Sequence, residues 1–210
     1  MGLSKADEKR LAELKRKLLA KDEEVKNLDR AASQVFESEK IYHFNTELLP
    51  ANPLQEELIQ AWEDPFYKVF TYTGANRIGK TTIEVILAFS VMFGKWLWNN
   101  KPIGFVHNKP RKVRIIGQDW EKHIKTVLIP TMEEWWPKNR KLNIKKNSLG
   151  VEALWTDEMS GSTAEIMSNN QESKLHEGWF GDAILYDEPP KRDIRVAYMR
   201  GLVDLTWKIF

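Results

Sequence analysis

The sequence predicts an α/β fold in which a mainly parallel central sheet is flanked by helices, with a helical arm at the N-terminus. Three observations predict it. A run rich in β-branched and aromatic residues, 68–73, leads through a glycine-containing loop into a long apolar segment, 82–98, with helical spacing. A second apolar run, 183–186, ends in two acidic residues, and a charged helical pattern fills residues 4–39. Alternating strands and helices are typical of a parallel sheet with helices on its faces.

The loop after the first strand carries a phosphate-binding pattern. Gly74 to Thr81 reads G-x-x-x-x-G-K-[ST], between the strand and the helix that this pattern requires. Its glycines let successive backbone N–H groups turn toward phosphate oxygens, and the following helix adds the positive end of its dipole. We expect the Lys80 ammonium to contact the β- and γ-phosphates of ATP and the Thr81 hydroxyl to ligate Mg²⁺. The predicted nucleotide-binding residues of the loop are Gly74, Ala75, Asn76, Arg77, Ile78, Gly79, Lys80, Thr81 and Thr82.

The second apolar strand ends in the acids that such a loop needs. Asp187 directly follows the run 183–186, and Glu188 comes next. Asp187 is predicted to bind Mg²⁺, directly or through water, and Glu188 to polarise the water that attacks the γ-phosphate. An apolar run followed by two acids is common in proteins and is a weak signal by itself. It becomes a specific signal when a phosphate loop lies upstream in the same chain. Together the two predict the core of a P-loop nucleoside triphosphatase of the ASCE type, which uses an additional catalytic glutamate.

Composition excludes several classes of protein. With 210 residues, 42% of them hydrophobic, the chain can bury a sizeable core. Its charges nearly cancel at a formal +2, which does not by itself indicate a nucleic-acid partner. The absence of cysteine excludes disulfides and thiolate metal sites. The longest apolar run, 83–98, carries two charged residues and is too short to span a bilayer, so no membrane partner is predicted.

Two parts are predicted, a charged helical arm over residues 1–50 and an ATPase core over residues 51–210. In the arm, apolar residues recur at spacings of three and four, with basic and acidic residues between them. They are Leu11, Leu14, Leu18, Leu19, Val25 and Leu28. Two interpretations stay open: an arm that touches DNA or a neighbouring subunit, or a solvated amphipathic helix packed on the core.

A helix over residues 52–62 precedes the phosphate loop. Asn52 is predicted to cap it, and Pro53 suits its first position. Gln55 lies on the first turn, where its amide can offer both a donor and an acceptor to the edge of an adenine.

Between the phosphate loop and the acids we expect a strand at 113–116 and a helix at 120–136. Asp119 and Glu121 lie at their junction and are interpreted as caps of the helix, with a place in a site at the carboxyl end of the strand as the alternative. His107 and His123 have no second ligand at metal spacing, which indicates surface or packing histidines.

The segment 137–150 is basic and is interpreted as a solvated loop, with contact to the phosphates of DNA or of ATP on an adjacent subunit as the alternative. Strands are expected at 151–155 and 164–167, joined by a turn. A helix from Lys191 to about Met199 and a strand at 207–210 complete the chain.

Four segments carry a resemblance to a known family. They are Pro53-Leu-Gln55, the loop 74–82, the stretch 177–189 around the two acids, and 192–204, which ends in Arg-Gly-Leu-Val-Asp. In these four segments the chain resembles the ATPase domain of bacteriophage large terminases, the motors that drive DNA into a procapsid.

The resemblance implies a role for individual residues. Gln55 matches the family's adenine contact, Lys80 and Thr81 its phosphate and magnesium contacts, and Asp187 and Glu188 its metal-binding and catalytic acids. The catalytic residues it implies are Glu188, Lys80 and Arg77. Arg77 would be the arginine inside the loop, although it lies one position nearer Lys80 than in many relatives. For an arginine acting across subunits, the candidates are Arg111, Arg140, Arg192 and Arg200.

The resemblance also implies partners. These are double-stranded viral DNA, the portal and procapsid, a small terminase subunit and further copies of the chain in a ring, all in the host cytoplasm. The chain is expected to end before the family's coupling motif and to lack the nuclease domain, which predicts slow ATP hydrolysis and no DNA cleavage. The alternatives are another ASCE ATPase acting on nucleic acid, such as a helicase or recombinase, or a dormant fragment that only docks DNA or assembles.

Overall fold

The computed structural model describes residues 5–64, 69–71, 78–104, 110–201 and 208–209. They form two compact units, Met1–Glu39 and Lys40–Phe210. The boundary falls before Lys40, whereas the sequence placed it at residue 50, because Ile41 and Phe44 are buried in the core of the second unit. No helix in these ranges is long and apolar enough to cross a bilayer.

The first unit is one long helix, α1, Lys5–Ser38, as the spacing of its apolar residues predicts. Several of its leucines lie on the surface; Leu14, Leu18 and Leu28 are each more than half exposed.

The second unit contains a mixed sheet of six described strands. They are β1 Lys112–Gly117, β2 Leu142–Lys146, β3 Glu152–Asp157, β4 Thr163–Ser168, β5 Ala183–Tyr186 and β6 Lys208–Ile209. Their order is β2-β3-β4-β1-β5-β6. The pairs β4–β1, β1–β5 and β5–β6 are parallel, whereas β2–β3 and β3–β4 are antiparallel. The predicted mainly parallel arrangement therefore fits the four strands β4, β1, β5 and β6. It does not fit β2 and β3, which run antiparallel to their neighbours.

Helices cover both faces of the sheet, as predicted. They are α2 Lys40–His43, α3 Pro53–Glu63, α4 Lys80–Phe93, α5 Ile129–Trp135 and α6 Arg192–Gly201, with a π-helix at Trp120–Leu128 that continues into α5 and a 3₁₀ turn at Ser173–His176. Successive strand residues point to opposite faces. Ile115 and Leu185 therefore join the core built around α4, whereas Ile116 and Ile184 pack with Tyr198 of α6.

Helix α4 is almost wholly buried, which explains its apolar sequence. It ends at Phe93, earlier than the predicted Trp98, because Gly94 takes a left-handed conformation with φ 70° and caps it. A side chain at Gly94 would also collide with the guanidinium of Arg111.

The edge strand β2 was not predicted from the sequence, which indicated a solvated loop for the basic segment 137–150. Four of its five residues are exposed, so no alternation of apolar and polar side chains marks it. Lysines on an exposed edge strand discourage pairing with another sheet.

Candidate active site

The last residue of the predicted phosphate loop and the first of the paired acids meet at the carboxyl end of β5. Thr81 lies in the first turn of α4, and its hydroxyl donates to Asp187 Oδ1 at 3.0 Å. Asp187 follows β5 directly, and its backbone N–H bonds to Ile116 O of β1 at 3.2 Å. Residues 106 positions apart in sequence are thus in direct contact. The edge formed by the carboxyl ends of parallel strands is where open α/β sheets bind ligands.

The described end of the phosphate loop is held by the start of α3. Asn52 Nδ2 donates to Ile78 O at 3.1 Å, and Gln55 Nε2 donates to Gly79 O at 3.3 Å. Gly79 has φ 80° and precedes the first residue of α4. A Cβ on Gly79 would lie 2.8 Å from Gln55 Nε2, so glycine is required both by the conformation and by this close approach.

Gln55 also completes the cap of its own helix. Asn52 Oδ1 accepts from Gln55 N, and Gln55 Oε1 accepts from Asn52 N, each at 3.0 Å, which is a capping box. This confirms Asn52 as the predicted cap. Gln55 is 6% exposed, and both ends of its amide have partners within the protein. Its contact with adenine stays a prediction.

His123 is a site residue that the sequence did not reveal. Its Nε2 lies 2.6 Å from Asp187 Oδ2, so the two oxygens of Asp187 face Thr81 on one side and His123 on the other. The sequence had assigned His123 to the surface or to packing, because its partner is 64 residues away and no local spacing links the two.

Local structure explains how His123 reaches the acid. The π-helix that carries it begins at Asp119, whose Oδ1 accepts from the backbone N–H of Glu121 and Lys122, so Asp119 is the predicted cap. Gly117 allows the first turn to lie close to β1, since a Cβ there would meet Ile124 Cγ1 at 2.5 Å. π-Helical turns are rare and are frequently found at functional sites.

Asp187 and His123 shift each other's pKa, and Asp187 also shifts that of Glu84. Burial alone would raise the pKa of Asp187, but its hydrogen bonds, led by the one from His123, outweigh burial and the pKa lies below its usual value. The same bond raises the pKa of His123 above its usual value. Glu84 of α4 is fully buried. Burial, and then the charge of Asp187, raises the pKa of Glu84 well above its usual value.

The oxygen donors present suit a magnesium ion that arrives with a nucleotide. Thr81 uses its proton toward Asp187, which leaves the lone pairs of its oxygen available to a cation. In the described ranges, no three acidic or histidine side chains cluster as a self-sufficient metal site. Mg²⁺ typically takes one or two protein oxygens and completes its shell with phosphates and water, which this arrangement allows.

The other predicted site residues are placed as follows. Lys80 opens α4 beside Thr81, Thr82 follows, and all three are partly buried. Glu188 is exposed, next to Asp187. Gly74, Ala75, Asn76 and Arg77 lie outside the described residues.

Two candidate arginines already have structural partners. Arg140 bonds to the buried carboxylate of Asp157 through Nε at 3.1 Å and through its second terminal nitrogen. Arg111 is 6% exposed, beneath Gly94. Arg192 is exposed, and the side chain of Arg200 lies outside the described residues. Arg192 is therefore the most exposed of these three arginines, and an arginine that acts across subunits stays a prediction.

Comparison with solved structures gives one clear likeness. The large terminase of a thermophilic bacteriophage superposes with a TM-score of 0.52 over 76% of this chain, at 16% sequence identity. The matched part of this chain has the fold of part of a large terminase. It spans 38% of that terminase's length. No family model and no curated protein matches the sequence.

Proposed function

We propose that the chain is the ATP-hydrolysing part of a large terminase, with a P-loop core that binds Mg²⁺-ATP. The observation that carries the proposal is the 3.0 Å contact between Thr81 and Asp187. It joins the end of a G-x-x-x-x-G-K-[ST] loop to the first of two consecutive acids, which is the pairing that nucleotide hydrolysis needs. The terminase-like fold supports the same function.

Each residue then has a defined task. The Lys80 ammonium binds the terminal phosphates, and the N–H groups at the start of α4 face the same anion. Glu188 orients a water for in-line attack and accepts its proton, which its exposed position beside Asp187 permits. Arg77 is proposed to stabilise the charge that develops on the transferred phosphoryl group. The bound magnesium would neutralise phosphate charge and polarise the terminal phosphate.

The partners follow from the terminase likeness rather than from a described surface. We propose that ATP hydrolysis moves double-stranded viral DNA into a procapsid. The working unit would be a ring of copies assembled with the portal and a small terminase subunit in the host cytoplasm.

Two substitutions test the enzymatic part. Glu188→Gln should retain ATP binding and lose turnover, whereas Lys80→Ala should weaken binding itself. Glu158→Gln, which changes an exposed carboxylate elsewhere in the described structure, is the matched control and should behave as the wild type. Binding is measured by calorimetry and turnover by phosphate release. Steady-state hydrolysis retained by Glu188→Gln would remove Glu188 from the catalytic role.

A second assay separates a terminase from a helicase. A helicase unwinds a forked duplex with ATP in the absence of procapsids, whereas the proposed protein should not. Unwinding that is lost in the Lys80→Ala variant would favour the helicase interpretation.

A further inference from the structure

A cleft of about 510 Å³ opens at the carboxyl end of β4. Strand β4 is parallel to β1 and β5, so its carboxyl end lies on the edge of the sheet that carries Asp187, with β1 between the two. Strand β3 runs antiparallel to β4, which brings the turn between β2 and β3 to the same edge. Residues 145–149 of this hairpin line the cleft together with Met167 and Gln171. The cleft therefore lies on the ligand-binding edge of the sheet but outside the nucleotide site.

Two amide side chains of the cleft are fixed as hydrogen-bond donors. Asn147 Oδ1 accepts from the backbone N–H groups of Leu149 and Val151 at 2.9 and 3.0 Å, which leaves the NH₂ group of its amide for a ligand. Gln171 Oε1 accepts from Ser168 N at 2.7 Å, which leaves its NH₂ group in the same way. Amides held like this select a ligand that accepts hydrogen bonds.

Two lysines add positive charge to the same cleft. Lys145 and Lys146 are exposed, and neither forms an ion pair with any residue in the described ranges. Among the causes that set the pKa of Glu152, burial raises it most and the lowering by Lys146 comes last, so that contact is weak. The one carboxylate that lines the cleft in these ranges, Glu165, forms an ion pair with Arg114 at 2.5 Å. The cleft is therefore complementary to an anion.

The arrangement of the donors indicates a chain of phosphates rather than a single ion. The donors come from β2, from the turn after it and from the loop after β4, and neighbouring strands are about 4.8 Å apart, so they spread over about 10 Å. One phosphate ion reaches only a few of them, whereas successive phosphates of a nucleic acid reach them all. Lysine, asparagine and glutamine side chains are common contacts of the DNA backbone.

Double-stranded DNA fits the cleft better than a single strand. Proteins that bind single strands stack unpaired bases on aromatic side chains. Trp120 is the one aromatic residue that lines the cleft among the described residues, and it packs against the main core. A duplex needs no such platform, because it presents its phosphates on the outside. Protection of an exposed strand edge explains lysines on β2 but gives no role to Asn147 or Gln171.

We propose that the hairpin cleft, formed by Lys145, Lys146, Asn147 and Gln171, binds the phosphate backbone of double-stranded DNA. The inference rests on the proposed function, since it names the surface through which the ATPase would hold the DNA that it moves.

The first experiment measures binding of a fluorescent duplex to the full chain by anisotropy over a range of salt concentrations. Each lysine that contacts a phosphate contributes about 0.9 to the slope of log affinity against log salt, so Lys145→Gln/Lys146→Gln should lower the slope by about 1.8. Two duplexes of unrelated sequence should lose affinity by the same factor, because phosphates carry no sequence information.

The matched control is Lys112→Gln/Lys141→Gln, which removes two exposed lysines from the opposite edge of the same sheet. It should keep the slope of the wild type. The proposal is overturned if the wild type does not bind the duplex, if Lys145→Gln/Lys146→Gln leaves the slope unchanged, or if the control lowers it as much.

A second substitution tests the amide. Asn147→Asp keeps the oxygen that accepts from Leu149 and Val151 but replaces the NH₂ donor by a charged oxygen, so it should weaken duplex binding about ten-fold or more. Asn139→Asp is its control, because Asn139 is exposed outside the cleft and its Oδ1 accepts from Tyr42 at 3.0 Å. Equal losses in the two variants would show that added charge alone weakens binding, which contradicts the assigned contact.

Binding and turnover of ATP, measured without DNA, separate this inference from the proposed function. Lys145→Gln/Lys146→Gln should match the wild type in both, because the two lysines lie outside the nucleotide site. A chain that binds DNA through these lysines but binds no ATP would refute the ATPase and support the hairpin cleft. Turnover lost in this variant with unchanged DNA binding would overturn the cleft in favour of a contact with ATP on a neighbouring copy. Tighter binding of a single strand than of the duplex, lost in the same variant, would overturn the choice of a duplex.

Discussion

Replacing Gln55 by methionine tests how the start of α3 serves the nucleotide site. The substitution keeps the length and burial of the side chain but removes the hydrogen bonds to Asn52 N at 3.0 Å and to Gly79 O at 3.3 Å. The capping bond from Gln55 N to Asn52 Oδ1 survives, because it uses the backbone. A typical hydrogen bond contributes a net of about 0.5–1.5 kcal/mol, so the free energy of unfolding should fall by about 1–3 kcal/mol.

The effect on nucleotide binding is more informative. The bond to Gly79 O helps to hold the phosphate loop, so its loss should weaken ATP and GTP binding alike, by about two- to ten-fold for one hydrogen bond. A side chain that instead reads adenine would, when removed, weaken ATP binding much more than GTP binding. The ratio of the two affinities therefore separates the two roles.

Calorimetric titration of both nucleotides measures that ratio, and chemical denaturation measures stability. Gln60→Met is the matched control, since Gln60 lies on the same helix and is exposed. If Gln55→Met weakened ATP binding but not GTP binding, the Gln55 amide would not act mainly by holding the loop. That result would favour the adenine contact implied by the family resemblance.

Three further predictions concern buried polar groups. His123→Phe should weaken Mn²⁺ binding to the complex with a non-hydrolysable ATP analogue about 10–100-fold, because Asp187 loses a bond that orients it; electron paramagnetic resonance measures free Mn²⁺. Arg140→Met should lower the free energy of unfolding in urea by about 3–5 kcal/mol, because it leaves the carboxylate of Asp157 buried without its cation. Burial, and then the charge of Arg114, lowers the pKa of the fully buried His176, so the wild type should lose stability as pH falls below about 6.5.

The sign of the last effect follows from proton binding. The unfolded state takes up a proton on His176 near pH 6.5, whereas the folded state resists it, so acidification favours unfolding by about 1.4 kcal/mol per pH unit until the folded pKa is reached. His176→Gln should flatten this part of the pH profile, and an unchanged slope would contradict the assignment. For the prediction on His123→Phe, an unchanged Mn²⁺ affinity would show that His123 does not orient Asp187 for metal binding. Asp157→Asn should recover part of the stability lost in Arg140→Met, and a further loss would show that the buried charge is not the cause.

Elements with a strong local pattern were predictable from the sequence. The apolar helix after the phosphate loop, the strands around Ile115 and Ile184, and the cap at Asn52 depend on residue types within a few positions of one another. The end of α4 was misjudged by the periodicity, because Gly94 stops the helix although apolar residues continue to Trp98. Strand β2 was missed, because an exposed edge strand leaves no alternation to detect.

The sequence by itself determined that a phosphate loop and a pair of acids occur in one α/β chain, since each is a short pattern whose chemistry follows from the residues it contains. Only the tertiary structure decided that Asp187 contacts both Thr81 and His123. It also decided that the side-chain amide of Gln55 forms hydrogen bonds with Asn52 and Gly79. Those contacts join parts of the chain that are far apart in sequence, and their geometry depends on which strands pair and how closely each helix approaches them. No local pattern encodes that pairing, because it is a property of the whole packed core.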